Sequence, residues 1–267
     1  MVKKIMELKI YQVDAFTDKV FGGNPAAVVP LEQWLPDDIL QQIAMENNLS
    51  ETAFYVQEGE RYLLRWFTPT VEVDLCGHAT LATAHVLFQH EGFEGDAITF
   101  YSDRSGILKV SKEGDDLILD FPVDDIKEIQ LTTDLLDCFI PSALQAYRGK
   151  SDVVLVFEKE EDISSLQFDL SKIANIPARG VITTSPGRSV DFVSRFFGPQ
   201  VGVPEDPVTG SAYTTLIPIW AGKLGKGILT AEQLSGRGGK LSCKLQGDRV
   251  AIGGKAVTYL VGRIFLG

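Results

Sequence analysis

Two stretches of this chain share a plan that few folds accommodate. Asp74-Leu75-Cys76-Gly77-His78-Ala79-Thr80-Leu81-Ala82-Thr83-Ala84-His85-Val86-Leu87-Phe88 passes through a glycine and a small polar group into a run that is apolar on nearly every side. Such a run reads as a helix, and a helix apolar all round must be buried. Asp206-Pro207-Val208-Thr209-Gly210-Ser211-Ala212-Tyr213-Thr214-Thr215-Leu216-Ile217-Pro218-Ile219-Trp220 repeats the order of acid, glycine, polar residue and Ala/Thr-rich apolar helix. The chain reads as two halves, each organised around its own central helix.

The chemical interest lies where these helices begin. The first turn of a helix leaves unpaired N–H groups and the positive end of its dipole, and a glycine just before it lets a ligand approach the backbone. Two such ends facing one cleft would hold a small anion. The plainer alternative, a capped core helix with no ligand, stays open on these residues alone.

The 267 residues suffice for two halves that each bury a core. A formal net charge of −11 argues against a nucleic-acid or anionic-membrane partner, because phosphates are held by clustered Lys and Arg. Cys76, Cys138 and Cys243 are odd in number and widely spaced, so neither a disulfide framework nor a thiolate zinc site is indicated, and a reducing cytoplasm fits. The start, Met1-Val2-Lys3-Lys4-Ile5-Met6-Glu7, is basic without a following apolar segment, and no stretch is long and apolar enough to span a bilayer. The expectation is a soluble, cytoplasmic protein.

In chain order, Leu8–Phe16 alternates as a strand, Phe21-Gly22-Gly23-Asn24-Pro25 is a turn that could present Asn24 rigidly, and Ala26–Val29 is a short buried strand. Pro36-Asp37-Asp38 opens a helix to about Asn48, with Ile39, Leu40, Ile43 and Ala44 as its apolar stripe. Glu51 then stands where helix gives way to strand, among Leu49, Ala53 and Phe54, a setting in which a carboxylate can serve as general acid or base. An ordinary strand-end glutamate, one of 36 acidic residues, is the alternative. Further strands, a crossing at Pro122-Val123-Asp124-Asp125 and a long terminal strand Ala256–Leu266 complete an α+β pattern without a low-complexity linker. The expected domains are 1–121 with 256–267, and 122–255.

All three histidines fall on or beside the first central helix. Seven residues separate His78 from His85, about 10 Å along a helix axis, too far to share a metal ion, so a His-cluster metal site is rejected. His78 follows Gly77 at the helix start, where the dipole disfavours its cation, and is expected to be neutral. His85 and His90 read as packing or surface residues. Cys76, at the same start, could have its thiol pKa lowered and act as nucleophile or carbon-acid base. Nucleotide-binding loops, serine-hydrolase elbows and H-E-x-x-H are absent from the sequence.

Four motifs together, Phe21-Gly22-Gly23-Asn24-Pro25-Ala26-Ala27-Val28, Asn48-Leu49-Ser50-Glu51-Thr52-Ala53-Phe54, Cys76-Gly77-His78-Ala79-Thr80 and Glu205-Asp206-Pro207-Val208-Thr209-Gly210-Ser211-Ala212, resemble the phenazine-biosynthesis isomerase family. The resemblance covers nearly the whole chain. It implies a diaminopimelate-epimerase-like α+β fold: two similar domains, each a curled sheet around a central helix, with the site in the cleft between them and the last strand returning to the first domain. It also implies a homodimer that needs no cofactor; no metal site is expected. By motif match, Glu51 would be the acid/base that moves a proton between carbons of a small cyclic or amino-acid-like carboxylate, with His78 and Asp206 assisting. Gly77, Gly210 and Ser211 would hold the substrate carboxylate, and Ser50 and Asn24 would contact the substrate.

One departure bears on mechanism. Related epimerases place a cysteine before each helix-start glycine; here Cys76 takes the first place and Thr209 the second. Two-base racemisation is therefore disfavoured, and Cys76 reads better as a small buried residue beneath the site. A cysteine-dependent epimerase and a non-catalytic carboxylate-binding protein remain as alternatives to the glutamate isomerase.

Overall fold

The computed structural model describes residues 5–267; Met1–Lys4, on which the reading of the basic start partly rests, lie outside them. The chain divides into two compact units, one ending at Asp120 and regaining Gly253–Gly267, the other spanning Phe121–Ile252. Both mix strands with a few helices, an α+β architecture.

The first unit contains β1 (Met6–Ala15), β2 (Asn24–Leu31), α1 (Asp37–Asn47), β3 (Glu51–Glu58), β4 (Arg61–Phe67), β5 (Glu72–Val73), α2 (Gly77–Gln89), β6 (Ala97–Ser102), β7 (Gly106–Glu113), β8 (Asp116–Pro122) and the last strand, Ala256–Leu266. β1 lies antiparallel between β2 and the last strand, from Met6 opposite Leu266 to Ala15 opposite Ala256. β2 and β3 are parallel, with Ala26 opposite Glu51. Pairing continues antiparallel to β4, parallel to β6, and through the β6–β7–β8 meander.

α2 packs on β1, β2 and β3, and every residue from Gly77 to Ala84 is buried, as a helix without a polar face requires. Its two buried threonines satisfy their hydroxyls locally: Thr80 and Thr83 donate to the carbonyls of Cys76 and Ala79 at 2.6 and 2.7 Å. α1 begins after Pro36, carries Asp37 and Asp38 in its first turn, buries Leu40, Ile43 and Ala44, and ends at Asn48 with φ of 48°. That left-handed residue turns the chain directly into β3.

The second unit contains β9 (Lys127–Ile129), α3 (Thr133–Leu136), β10 (Phe139–Ile140), β11 (Gln145–Arg148), β12 (Asp152–Val156), α4 (Glu160–Ser164), β13 (Gln167–Phe168), α5 (Leu170–Ile173), β14 (Gly180–Pro186), β15 (Phe192–Gly198), β16 (Val203–Asp206), α6 (Tyr213–Leu224), β17 (Ile228–Gln233), β18 (Gly239–Gln246) and β19 (Arg249–Gly254). β12 is buried along its whole length, the reason its sequence runs apolar from Val153 to Val156, and it pairs in parallel with β14. β15 pairs antiparallel with β14 and parallel with β17. Trp220 of α6 stacks on Phe192 at 5.6 Å and donates its indole N–H to Thr184 Oγ1 at 3.0 Å.

Pro218 lies inside α6, and the helix is preceded by a 3-10 turn over Gly210–Ala212 rather than starting at the glycine. The tighter turn brings Ala212 N–H to the carbonyl of Thr209 at 3.0 Å.

Candidate active site

Three element ends meet in the first unit. The parallel register of β2 and β3 puts Asn24 and Glu51 at the same end of neighbouring strands, and α2 begins beside them with Cys76 as its N-cap and no side chain capping its amides. Gly23 is required for this: its φ is +60°, and a Cβ there would lie 2.1 Å from the carbonyl oxygen of Ala15. The backbone before it is tied down by Phe21 N–H donating to Asp14 at 2.8 Å.

His78 is the hub. Its Nε2 lies 3.1 Å from Glu51 Oε2, its Nδ1 lies 3.2 Å from Asn24 Nδ2, and Cys76 Sγ lies 3.4 Å from the same Nδ1. The imidazole side chain is 5 % exposed and the Glu51 carboxylate 16 %, so the pair is shielded yet open on the glutamate side. Oε2 itself is buried and has no aligned hydrogen-bond donor among the described residues, which makes the 3.1 Å approach to His78 an ion contact rather than an in-line hydrogen bond. The Asn24 amide can offer Nδ2 to a neutral ring, or its oxygen to a charged one.

The expected neutrality of His78 is not what this geometry produces. Burial opposes the imidazolium, but Cys76 and Glu51 outweigh it and raise the ring well above its ordinary value. At neutral pH the raising charge is that of Glu51, because Cys76 is a thiol there. Burial first, and then Glu51, push its pKa up to about 11. A lowered thiol pKa from the helix dipole is thereby overturned: full burial beside a carboxylate outweighs the partial charge of a helix end.

The Glu51, Cys76 and His78 donor atoms lie within 4.8 Å of one another, a set that a divalent ion such as zinc accepts once the thiol is deprotonated. Sequence arithmetic had addressed only the histidines, and His85 and His90 are indeed elsewhere: both rings contact Thr258 Oγ1, at 2.9 and 2.8 Å. Gly77 forms the buried first position of α2. Ser50, just ahead of Glu51, is half-buried and makes no side-chain hydrogen bond among the described residues.

In the second unit, the loop from Asp206 to Gly210 is a built structure. Thr209 donates its hydroxyl to Asp206 Oδ2 at 2.5 Å, and its N–H to Gln233 Oε1 at 2.9 Å. Gln233, 1 % exposed, donates in turn to the Asp206 carbonyl at 2.8 Å. Ser211 Oγ accepts from Arg179 Nη2 at 3.1 Å, and the same guanidinium grips buried Asp152 through Nε at 2.9 Å and Nη2 at 2.5 Å. Sequence reasoning missed Gln233, Arg179 and Asp152. They lie on strands or loops without a motif, and only burial of their polar groups marks them.

Buried helices each leading from a glycine turn, in units of strands, define an α+β fold of the kind seen in epimerases and proline racemases. The fold of a hydroxyproline epimerase from Agrobacterium vitis matches at a TM-score of 0.63 with 10 % identity, over 99 % of this chain and 94 % of that one. Likeness at closer range is far stronger. The family described as phenazine biosynthesis-like protein (PhzC-PhzF) matches residues 13–262. An uncharacterized isomerase of Pseudomonas aeruginosa is 50 % identical over 98 % of this chain and 100 % of its own length. A crystal structure of a phenazine biosynthesis protein of the PhzF family from Enterococcus faecalis has a TM-score of 0.95 and 46 % identity, covering 98 % of this chain and 100 % of that one. The chain belongs to the phenazine biosynthesis-like family and is an isomerase. Among the described residues, no helix is long and apolar enough to cross a membrane.

Proposed function

We propose that the protein is a cofactor-independent isomerase that shifts a proton between carbons of a small cyclic or amino-acid-like carboxylate, with Glu51 as the acid/base. The observation that carries this reading is the Glu51–His78 contact of 3.1 Å at the uncapped start of α2. Glu51 as carboxylate takes a proton from a substrate carbon, the electron pair delocalises toward the substrate's unsaturated system, and the resulting carboxylic acid returns the proton to a second carbon. No atom is gained or lost. His78 holds the carboxylate in place and supplies positive charge beside it, and Asn24 orients the ring. First-turn amides at Gly77 favour the substrate carboxylate.

In the second unit Asp206, Gly210 and Ser211 are assigned to catalysis and substrate binding by their motif match; the rigid hydrogen-bonded loop around Thr209 supports it. A homodimer in a reducing cytoplasm completes the reading.

The test is deuterium incorporation from D2O followed by NMR, with trans-2,3-dihydro-3-hydroxyanthranilate and a panel of small carboxylates, comparing wild type with Glu51→Gln. Incorporation lost in the variant supports the reading; incorporation that survives moves the base elsewhere. A cysteine-dependent epimerase is disfavoured by the neutral thiol of Cys76 and by Thr209 in the second position.

A further inference from the structure

A cavity of about 680 Å³ lies within the second unit and includes none of the residues assigned above. Its walls come from β9, α3, β11, β12, α5 and the segment after it. Ile129, Leu135, Val153 and Ile176 supply apolar surface, and their packing joins the core of that unit. The volume falls in the range of small-molecule sites.

Arg148 gives the cavity its chemistry. It ends β11 opposite Val153, is half-buried, lines the cavity, and makes no side-chain hydrogen bond or ion pair among the described residues. Every other arginine among the described residues has an interaction partner. In a chain with 36 acidic residues against 25 basic ones, a half-buried guanidinium left without a carboxylate is unusual, because such groups are ordinarily paired. Lys172, the cavity's other cation, is already engaged by Asp137, donating to its carbonyl at 3.2 Å. The cavity therefore offers one unspent fork-shaped donor above an apolar floor. Asp134 and Asp137 at the exposed rim make a second negative charge on the ligand unfavourable.

We propose that this cavity is a second binding site, for a small organic monocarboxylate with an apolar body. The carboxylate takes the Arg148 guanidinium in a bidentate pair, and the body lies against Ile129, Leu135, Val153 and Ile176. The site shares no residue with the Glu51 centre and stands whether or not that centre performs the proposed reaction.

Titration of the full chain with phenylacetate, followed by calorimetry and by methyl chemical shifts of Ile129, Val153 and Ile176, tests it. Phenylacetamide, which lacks the charge, serves as the control. Phenylacetate is expected to bind wild type and Glu51→Gln alike and to shift those methyl signals. Arg148→Gln should weaken it by about tenfold or more, the loss of a charge-assisted pair. Ile129→Trp, which fills the floor and keeps Arg148, should weaken it as well. Deuterium exchange at the Glu51 centre should be unchanged in both variants. Equal binding of the amide, undiminished binding in Arg148→Gln and Ile129→Trp, loss in Glu51→Gln instead, or no binding in the millimolar range would each overturn the proposal.

Discussion

Glu51 Oε2 and His78 Nε2 stand 3.1 Å apart, one at the first residue of a strand and the other at the second residue of a buried helix. The strand register sets the first position and the helix start the second, so the pair is a property of the packed unit.

Replacement of Glu51 by Gln keeps the side chain's shape and removes its capacity to take a proton. Turnover is expected to fall by about two to four orders of magnitude, the usual worth of a positioned acid/base. Circular dichroism should be unchanged. A variant with wild-type deuterium exchange would exclude Glu51 as the base.

The raised pKa of His78 has a signed consequence for stability. An unfolded chain releases this proton near 6.5, whereas the folded one keeps it to higher pH. Stabilisation from the pair is therefore complete below about 6.5 and drains away as pH climbs through the raised value. Urea midpoints measured from neutral to alkaline pH should fall more steeply for wild type than for His78→Gln. Parallel curves would show that His78 carries no excess proton in the fold.

His85 behaves in the opposite sense. Burial, and then His90, hold its pKa down to about 4, so between about 6.5 and 4 the unfolded chain takes a proton that the folded chain refuses. Stability is present above 6.5 and is lost as pH falls through that window, by up to about 3 kcal/mol. The shared Thr258 hydroxyl has a single proton and can donate to only one of the two rings, so the other must donate to it. His85→Gln should flatten the acid limb of a thermal-stability profile; an unchanged limb would contradict the assignment.

Arg179 neutralises Asp152, whose side chain is 4 % exposed, and also reaches Ser211. Arg179→Met is expected to cost roughly 3 kcal/mol, chiefly by leaving a buried carboxylate unpaired. Pairing it with Asp152→Asn should return part of the loss, and Arg179→Lys should cost less. Additive losses in the double variant, read by denaturant unfolding, would show that the ion pair is not the cause.

Cys76 is buried and, with its pKa pushed up to about 11, protonated at neutral pH. Iodoacetamide at neutral pH should leave activity intact over a period that modifies an exposed thiol completely, and Cys76→Ser should retain deuterium exchange. Rapid inactivation would revive the thiol-epimerase reading.

Much of the architecture was legible because its signals are local. Alternation marked β1, a run apolar on nearly every side marked α2, and Pro36 with two acids marked the start of α1. The short elements β9, β10, β13 and α4 escaped because they are shorter than any periodicity they could display. The 3-10 turn before α6 escaped as well, since Gly210, Ser211 and Ala212 suit either kind of helix.

Sequence by itself determined the two buried helices, the glycine near the start of each, and the short motifs that singled out Asn24, Glu51, His78 and Asp206. These are statements about residue type and spacing along the chain. Only tertiary structure decided that His78 touches Asn24, Cys76 and Glu51 together, that its ring is raised rather than lowered, and that the Cys76 thiol stays protonated. It also decided that Gln233 and Arg179 brace the second glycine turn and that Arg148 is left without a partner. Proton affinity and hydrogen bonding depend on burial and on neighbours supplied by distant segments, and those are set by strand register and packing rather than by adjacent residues.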